Sequence, residues 1–107
     1  MDFQIKKNLL TFRVAGDFDL SLCPPLKEKM LKAIEMDGVN RIIFDMKEVT
    51  FLDSSALGLI LTAYKKTAPL GGGVGIINLQ PKLRQLFEMA GLEHIIKISL
   101  TKEVQDD

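Results

Sequence analysis

Asp53-Ser54-Ser55 joins a strand-like apolar run, Val49-Thr50-Phe51-Leu52, to a helix-like one that begins Ala56-Leu57-Gly58. A hydroxyl at such a junction stands at a helix N-terminus. There the first backbone N–H groups have no intrahelical partner and the helix dipole favours negative charge, so the position suits a phosphate or a carboxylate. The simplest role for these residues is capping, in which an Asp or Ser side chain accepts from the first-turn N–H groups for about 1 kcal/mol. Three cap-capable residues in a row exceed what one helix uses, and Phe51-Leu52 are expected to anchor the turn against the core. The surplus hydroxyl is then a candidate for modification. Phosphorylating it adds about −1.5 to −2 charge where the dipole tolerates it, so the fold survives while the surface changes sign.

Four acids, Asp17, Asp19, Asp45 and Asp53, fall near the ends of strand-like runs. Open parallel sheets gather ligands at the carboxyl ends of their strands, so a shared acidic pocket, even a Mg²⁺ site of receiver type, is one reading. In the other, Asp19 and Asp53 cap helices and Asp17 is solvated. Crowded acids would also repel a phosphate on Ser54. Gly71-Gly72-Gly73-Val74-Gly75 precedes a strand and is not followed by Gly-Lys-Ser/Thr, so it is a turn and not a phosphate loop. His94 is the sole histidine and has no ligand-spaced neighbour, which argues against a metal site. Ser54 has no sequence-visible base, and Cys23 sits beside Pro24 and Pro25 with no partner motif, which argues against nucleophilic catalysis. Lys65-Lys66 and Lys27 to Lys32 are most simply solvated helix faces. No cofactor is expected.

The elements that must position these residues follow from periodicity. Phe3 and Ile5, then Leu10, Phe12 and Val14, alternate with polar residues on either side of Lys7-Asn8, which predicts an N-terminal hairpin. After a loop at Gly16-Asp17-Phe18-Asp19, residues from about Ser21 to Met36 carry Leu22, Leu26, Met30 and Ala33 at helical spacing. Ser21 is available as cap, Pro24 sits in the first turn and Asp37-Gly38 ends the helix. Arg41 to Met46 is a short apolar run expected to form a central strand covered on both faces. A helix from about Ser54 to Thr67 places Leu57, Ile60, Leu61 and Tyr64 on a core face. Its second stripe, Ala56, Leu59 and Ala63, is either covered by another helix or exposed beside Ser54 as a protein interface. Val74 to Leu79 predicts another buried strand, and Pro81 through Leu83, Leu86, Phe87 and Ala90 a helix closed by Gly91. A strand over Ile95 to Leu100 and one turn of helix over Thr101 to Val104 complete the chain. Strands alternating with helices imply a mainly parallel sheet.

At 107 residues the chain is expected to be a single domain, 1–107, and Lys plus Arg balance Asp plus Glu at 14 each. No net field draws it to nucleic acid or to an anionic bilayer. The longest apolar run, Ala56 to Ala63, is far short of the roughly 20 residues of a membrane-spanning helix. A lone Cys23 and an N-terminus without a signal-peptide layout point to the cytoplasm.

Asp53-Ser54-Ser55-Ala56-Leu57-Gly58 after the strand Arg41 to Met46 resembles the signature of bacterial anti-sigma-factor antagonists of the STAS domain family. Gly16-Asp17-Phe18-Asp19 is similar to that family's Gly-acid-x-Asp loop, and Pro81 through Gly91-Leu92 to its closing helix motif. Ala56 stands where glycine is common. The resemblance implies an α/β fold, a single STAS-type domain with a four- to five-stranded, mostly parallel mixed sheet and helices packed mainly on one side. It also implies no enzymatic activity. By position, Ser54 is the residue that an ATP-dependent serine-kinase anti-sigma factor phosphorylates, and a PP2C-type phosphatase resets it. The unphosphorylated form binds the anti-sigma factor and frees the sigma factor. Asp17, Asp19, Asp53 and Ser55, with Ala56 and Leu59, form the expected docking surface, on a monomer or weak dimer. The runner-up is a constitutive scaffold of a stressosome-like or lipid-transport complex in which Ser54 is simply a cap. A third reading, a small nucleotide-binding or receiver-like enzyme, needs Mg²⁺ or a nucleotide at the acidic loops.

Overall fold

The computed structural model describes residues 1–98. Strands β1 (Asp2–Lys6) and β2 (Leu9–Phe18) form the expected hairpin, joined by Lys7-Asn8. Lys7 takes a left-handed φ of 57° to make the tight link. Then follow α1 (Cys23–Met36), β3 (Arg41–Leu52), α2 (Ser54–Thr67), β4 (Gly73–Ile77), α3 (Pro81–Met89) and a short β5 (Lys97–Ile98). Five strands make one sheet in the order β1-β2-β3-β4-β5, antiparallel between β1 and β2 and parallel elsewhere. Sequence order equals spatial order because each helix carries the chain over to the next parallel strand. The predicted turn over Thr101 to Val104 and the end of the predicted last strand lie outside the described residues. Ile95 and Ile96 precede β5 instead of belonging to it, because the chain first makes a 3-10 turn at Leu92–His94.

Register stacks the core in layers. Leu10, Ile42 and Val74 are neighbours across three strands, as are Phe12, Phe44 and Ile76. The Phe12 and Phe44 rings stack at 5.6 Å, and Phe18 tilts against Phe44 at 6.0 Å. Onto these pack Leu26, Met30 and Ala33 of α1, Ala56, Ile60 and Ala63 of α2, and Leu83 and Phe87 of α3, in one continuous cluster. The alternate face carries Thr11, Arg13, Arg41 and Ile43, all half-buried or exposed. The beginning of β3 is therefore not covered on both faces: the helices share one core on one side, and Ile43 pays for that only with partial exposure. No helix among the described residues is long and apolar enough to cross a membrane.

Two further expectations are corrected. β2 and β3 continue past the predicted loop, pairing Ala15 with Glu48, Gly16 with Val49, Asp17 with Phe51 and Phe18 with Leu52. Register shifts between Arg13 and Ala15 and between Gly16 and Asp17 let the ladder go on, with the extra residue on β3 each time. The core face of α2 is Ala56, Leu59, Ile60, Ala63 and Thr67, while Leu57, Leu61 and Tyr64 are half-buried at its margin. α2 packs against α1, β3 and β4, and the small Ala56 and Ala63 are buried in the shared core.

The opposite end of the sheet is pinned by Asn40. Its backbone N–H donates to the Asn8 carbonyl, its side-chain amide donates to the Leu70 carbonyl at 3.1 Å, and its own carbonyl accepts from the Gly73 N–H. Gly72 passes so close that a Cβ there would lie 1.5 Å from the Asn40 carbonyl oxygen.

Candidate phosphoacceptor site

Parallel pairing brings the carboxyl ends of β2 and β3 side by side, and the site grows from their last residues. Phe18 and Leu52 are neighbours in register and both are buried. One residue on, the Asp53 N–H donates to the Phe18 carbonyl at 3.4 Å, tying the start of α2 to the end of β2. Asp53 is extended at φ −121° and ψ −174°, and its Oδ1 accepts from the Ser55 N–H at 2.9 Å. Its carbonyl also accepts from the Ala56 N–H at 3.1 Å. Asp53 is thus the helix cap.

Capping by Asp53 leaves the serines free of that duty. Ser54 is the first residue of α2 and is exposed, and among the described residues its hydroxyl has no hydrogen-bond partner. Ser55 is half-buried. Gly58, one turn beyond Ser54, is exposed with nothing within 4 Å of where a Cβ would stand, so the surface next to the hydroxyl is bare.

Asp19 shapes the neighbouring loop. Its Oδ1 accepts from the Ser21 hydroxyl at 2.8 Å and the Ser21 N–H at 3.1 Å, while its carbonyl accepts from the N–H groups of Leu22 and Cys23. Ser21 therefore serves Asp19 and does not cap α1, whose cap position is held by Leu22 without a side-chain bond. The Ser21 hydroxyl, aided by the Leu22 and Ser21 N–H groups, holds the Asp19 carboxyl below the usual range against an opposing effect of desolvation. Burial pushes the Cys23 thiol up, and the negative charges of Asp53 and Asp19 push it further. The Cys23 N–H donates to the Asp19 carbonyl at 3.2 Å, which sets Cys23 at the base of this loop. A buried, protonated thiol is no nucleophile.

The expected residues divide into two groups. Asp17, Asp19, Asp53, Ser54 and Ser55 meet at the carboxyl ends of β2 and β3, with Asp17 exposed beside Phe51 in register. Asp45 lies apart: it is buried within β3, where its Oδ1 accepts from the Asn78 amide at 2.9 Å and the Lys47 N–H at 3.1 Å. Its role is to join β3 to the turn after β4. Among the described residues no three His, Cys, Asp or Glu side chains are grouped so as to hold a metal ion. Ala56 is fully buried and Leu59 is 5% exposed, so the covered alternative holds and neither side chain is presented to a partner. Phe51 corrects the remaining expectation. Leu52 alone anchors the turn, and Phe51, on the other face of the strand, is 50% exposed. Leu20, 68% exposed in the loop after β2, was not singled out by sequence because a lone apolar residue there has no periodic partner.

Known proteins share this fold. The STAS domain family model matches residues 1–104. The anti-sigma-B factor antagonist of Bacillus subtilis is 32% identical over 103 residues, covering 96% of this chain and 93% of the relative. The solved structure of the anti-sigma factor antagonist SpoIIAA in its unphosphorylated form superposes with a TM-score of 0.76 at 21% identity, covering 97% of this chain and 90% of that one. The Bacillus cell fate determinant SpoIIAA in its phosphorylated form gives 0.73 at 25% identity, covering 91% and 90%. The chain belongs to the STAS domain family, among relatives that are anti-sigma factor antagonists.

Proposed function

We propose that this chain is a cytoplasmic anti-sigma factor antagonist, switched by phosphorylation of Ser54. The observation that carries the reading is the division of labour at α2: Asp53 satisfies the cap, and Ser54 presents an exposed, unengaged hydroxyl at the same helix start. In the unphosphorylated form the end of the sheet around Ser54, with Asp17, Asp19, Asp53 and Ser55, docks on an anti-sigma factor and releases the sigma factor. The anti-sigma factor is itself the serine kinase. The Ser54 Oγ attacks the γ-phosphorus of ATP, an O–P bond forms as the bond to ADP breaks, and the hydroxyl proton passes to a base of the kinase. A PP2C-type phosphatase hydrolyses the ester. In this scheme the chain is substrate and ligand, not catalyst.

The physical basis of release is charge. The helix dipole tolerates the new dianion within the fold. Within an interface the same group must be desolvated among the carboxylates of Asp19 and Asp53, and a tenfold loss of affinity needs only about 1.4 kcal/mol. One phosphate suffices.

Incubation with the purified serine-kinase anti-sigma factor of the source cells, ATP and Mg²⁺ tests the assignment by intact mass. The wild type and Ser55→Ala are expected to gain one phosphate and Ser54→Ala none. Incorporation that survives in Ser54→Ala and disappears in Ser55→Ala moves the site by one residue. No incorporation in any form removes the switch and leaves a constitutive scaffold.

A further inference from the structure

Leu20 and Phe51 are large apolar side chains left exposed at the rim that holds Ser54. Backbone geometry puts both there. Phe51 is the register neighbour of Asp17 and faces away from buried Leu52. Leu20 lies between Asp19 and Ser21, which close a turn on the Asp19 carboxylate, so its side chain is held outside the core that Phe18 fills. Single exposed apolar residues are ordinary on a protein surface. Two of them at the ends of the adjacent strands β2 and β3, near a free hydroxyl and bordered by carboxylates, have the composition of an interface: apolar anchors within a polar rim.

We infer that Leu20 and Phe51 are the anchors by which the kinase-type anti-sigma factor grips this chain before it modifies Ser54. The inference rests on the phosphorylation reading above and adds the residues that supply affinity. Charge identifies the occupant. Residues 14–22 and 48–60 carry Asp17, Asp19, Glu48 and Asp53 and no Lys or Arg. The matching surface is an apolar hollow bordered by Lys and Arg, on a protein that also delivers a phosphate donor to the Ser54 Oγ. A second copy of this chain docked through the same rim would set like charges against each other and is disfavoured. Because the anchors touch the partner and not the reacting oxygen, they act on binding and leave the transfer step alone.

The test compares Leu20→Ala, Phe51→Ala and the double variant with Leu70→Ala, a control 51% exposed in the 3-10 turn Ala68–Leu70, before β4, at the far end of the sheet. Phosphorylation by the purified kinase with ATP is followed at varied concentrations of this chain, and binding of the same kinase with ADP is titrated calorimetrically. Each anchor variant is expected to raise KM and Kd roughly tenfold with kcat unchanged, and Leu70→Ala to change neither. Unaltered melting temperatures show that all four variants are folded. An unchanged Kd in the double variant overturns the anchors even where Ser54 is phosphorylated normally. Loss of binding in the double variant, when Ser54 takes no phosphate in the wild type, upholds the anchors and removes the switch.

Discussion

Asp53 caps α2 and leaves the Ser54 hydroxyl exposed and unengaged, a division that the sequence motif alone left open. Asp53, Ser54 and Ser55 are all able to cap, and their types alone do not say which one does. The extended backbone at Asp53 decides, because it aims Oδ1 at the Ser55 N–H. Asp53→Ala is expected to cost about 1 kcal/mol of stability and Ser54→Ala less than about 0.5, read from chemical denaturation midpoints. A larger loss in Ser54→Ala than in Asp53→Ala would reverse their roles. Leu59 shows the limit of residue-level reading. Both stripes of α2 carry apolar residues, and packing against α1 as well as β3 and β4, which local periodicity does not reveal, accompanies the burial of Ala56, Leu59 and Ala63.

At the scale of elements, punctuation was legible wherever a local residue imposed it. Lys7-Asn8 made the hairpin link, Pro81 opened α3, and Gly91 at φ 73° closed it. The continuation of β2 through Gly16-Asp17-Phe18 was not legible. Glycine and acid signal a loop, and the register shifts that accommodate them are properties of the pairing with β3. Phe51 was misplaced for the same reason: an extra residue on β3 flips the alternation, so it faces solvent. The joint before β4 offers an element-level test. Gly72→Ala drives a methyl into the backbone carbonyl of Asn40 and is expected to cost about 2–3 kcal/mol or more, whereas Gly73→Ala, with open space, stays within about 0.5. Equal urea midpoints for the two variants would contradict the close approach.

For the whole molecule, alternation of strands and helices disclosed a parallel sheet, and such a sheet brings the carboxyl ends of its strands to one edge. That edge is where Asp17, Asp19, Asp53 and Ser54 meet, although the first and last of these are far apart in the chain. Which face the helices cover was not disclosed, because Ile42, Ile43 and Phe44 are all apolar while only the first and third are fully buried. Phe18, Leu52 and Ala56 bring the core up to this rim but are themselves buried, while Ser54 is exposed, so a phosphate on Ser54 would sit on the rim and not in the core. Under the proposed switch, the module would change partners without changing fold. Calorimetric titration of the purified anti-sigma factor with the unmodified chain and with the chain stoichiometrically phosphorylated on Ser54 measures that claim directly. Affinity at least about tenfold weaker for the phosphorylated chain, with far-UV circular dichroism unchanged, is the predicted result. Equal affinity of the two forms would contradict it.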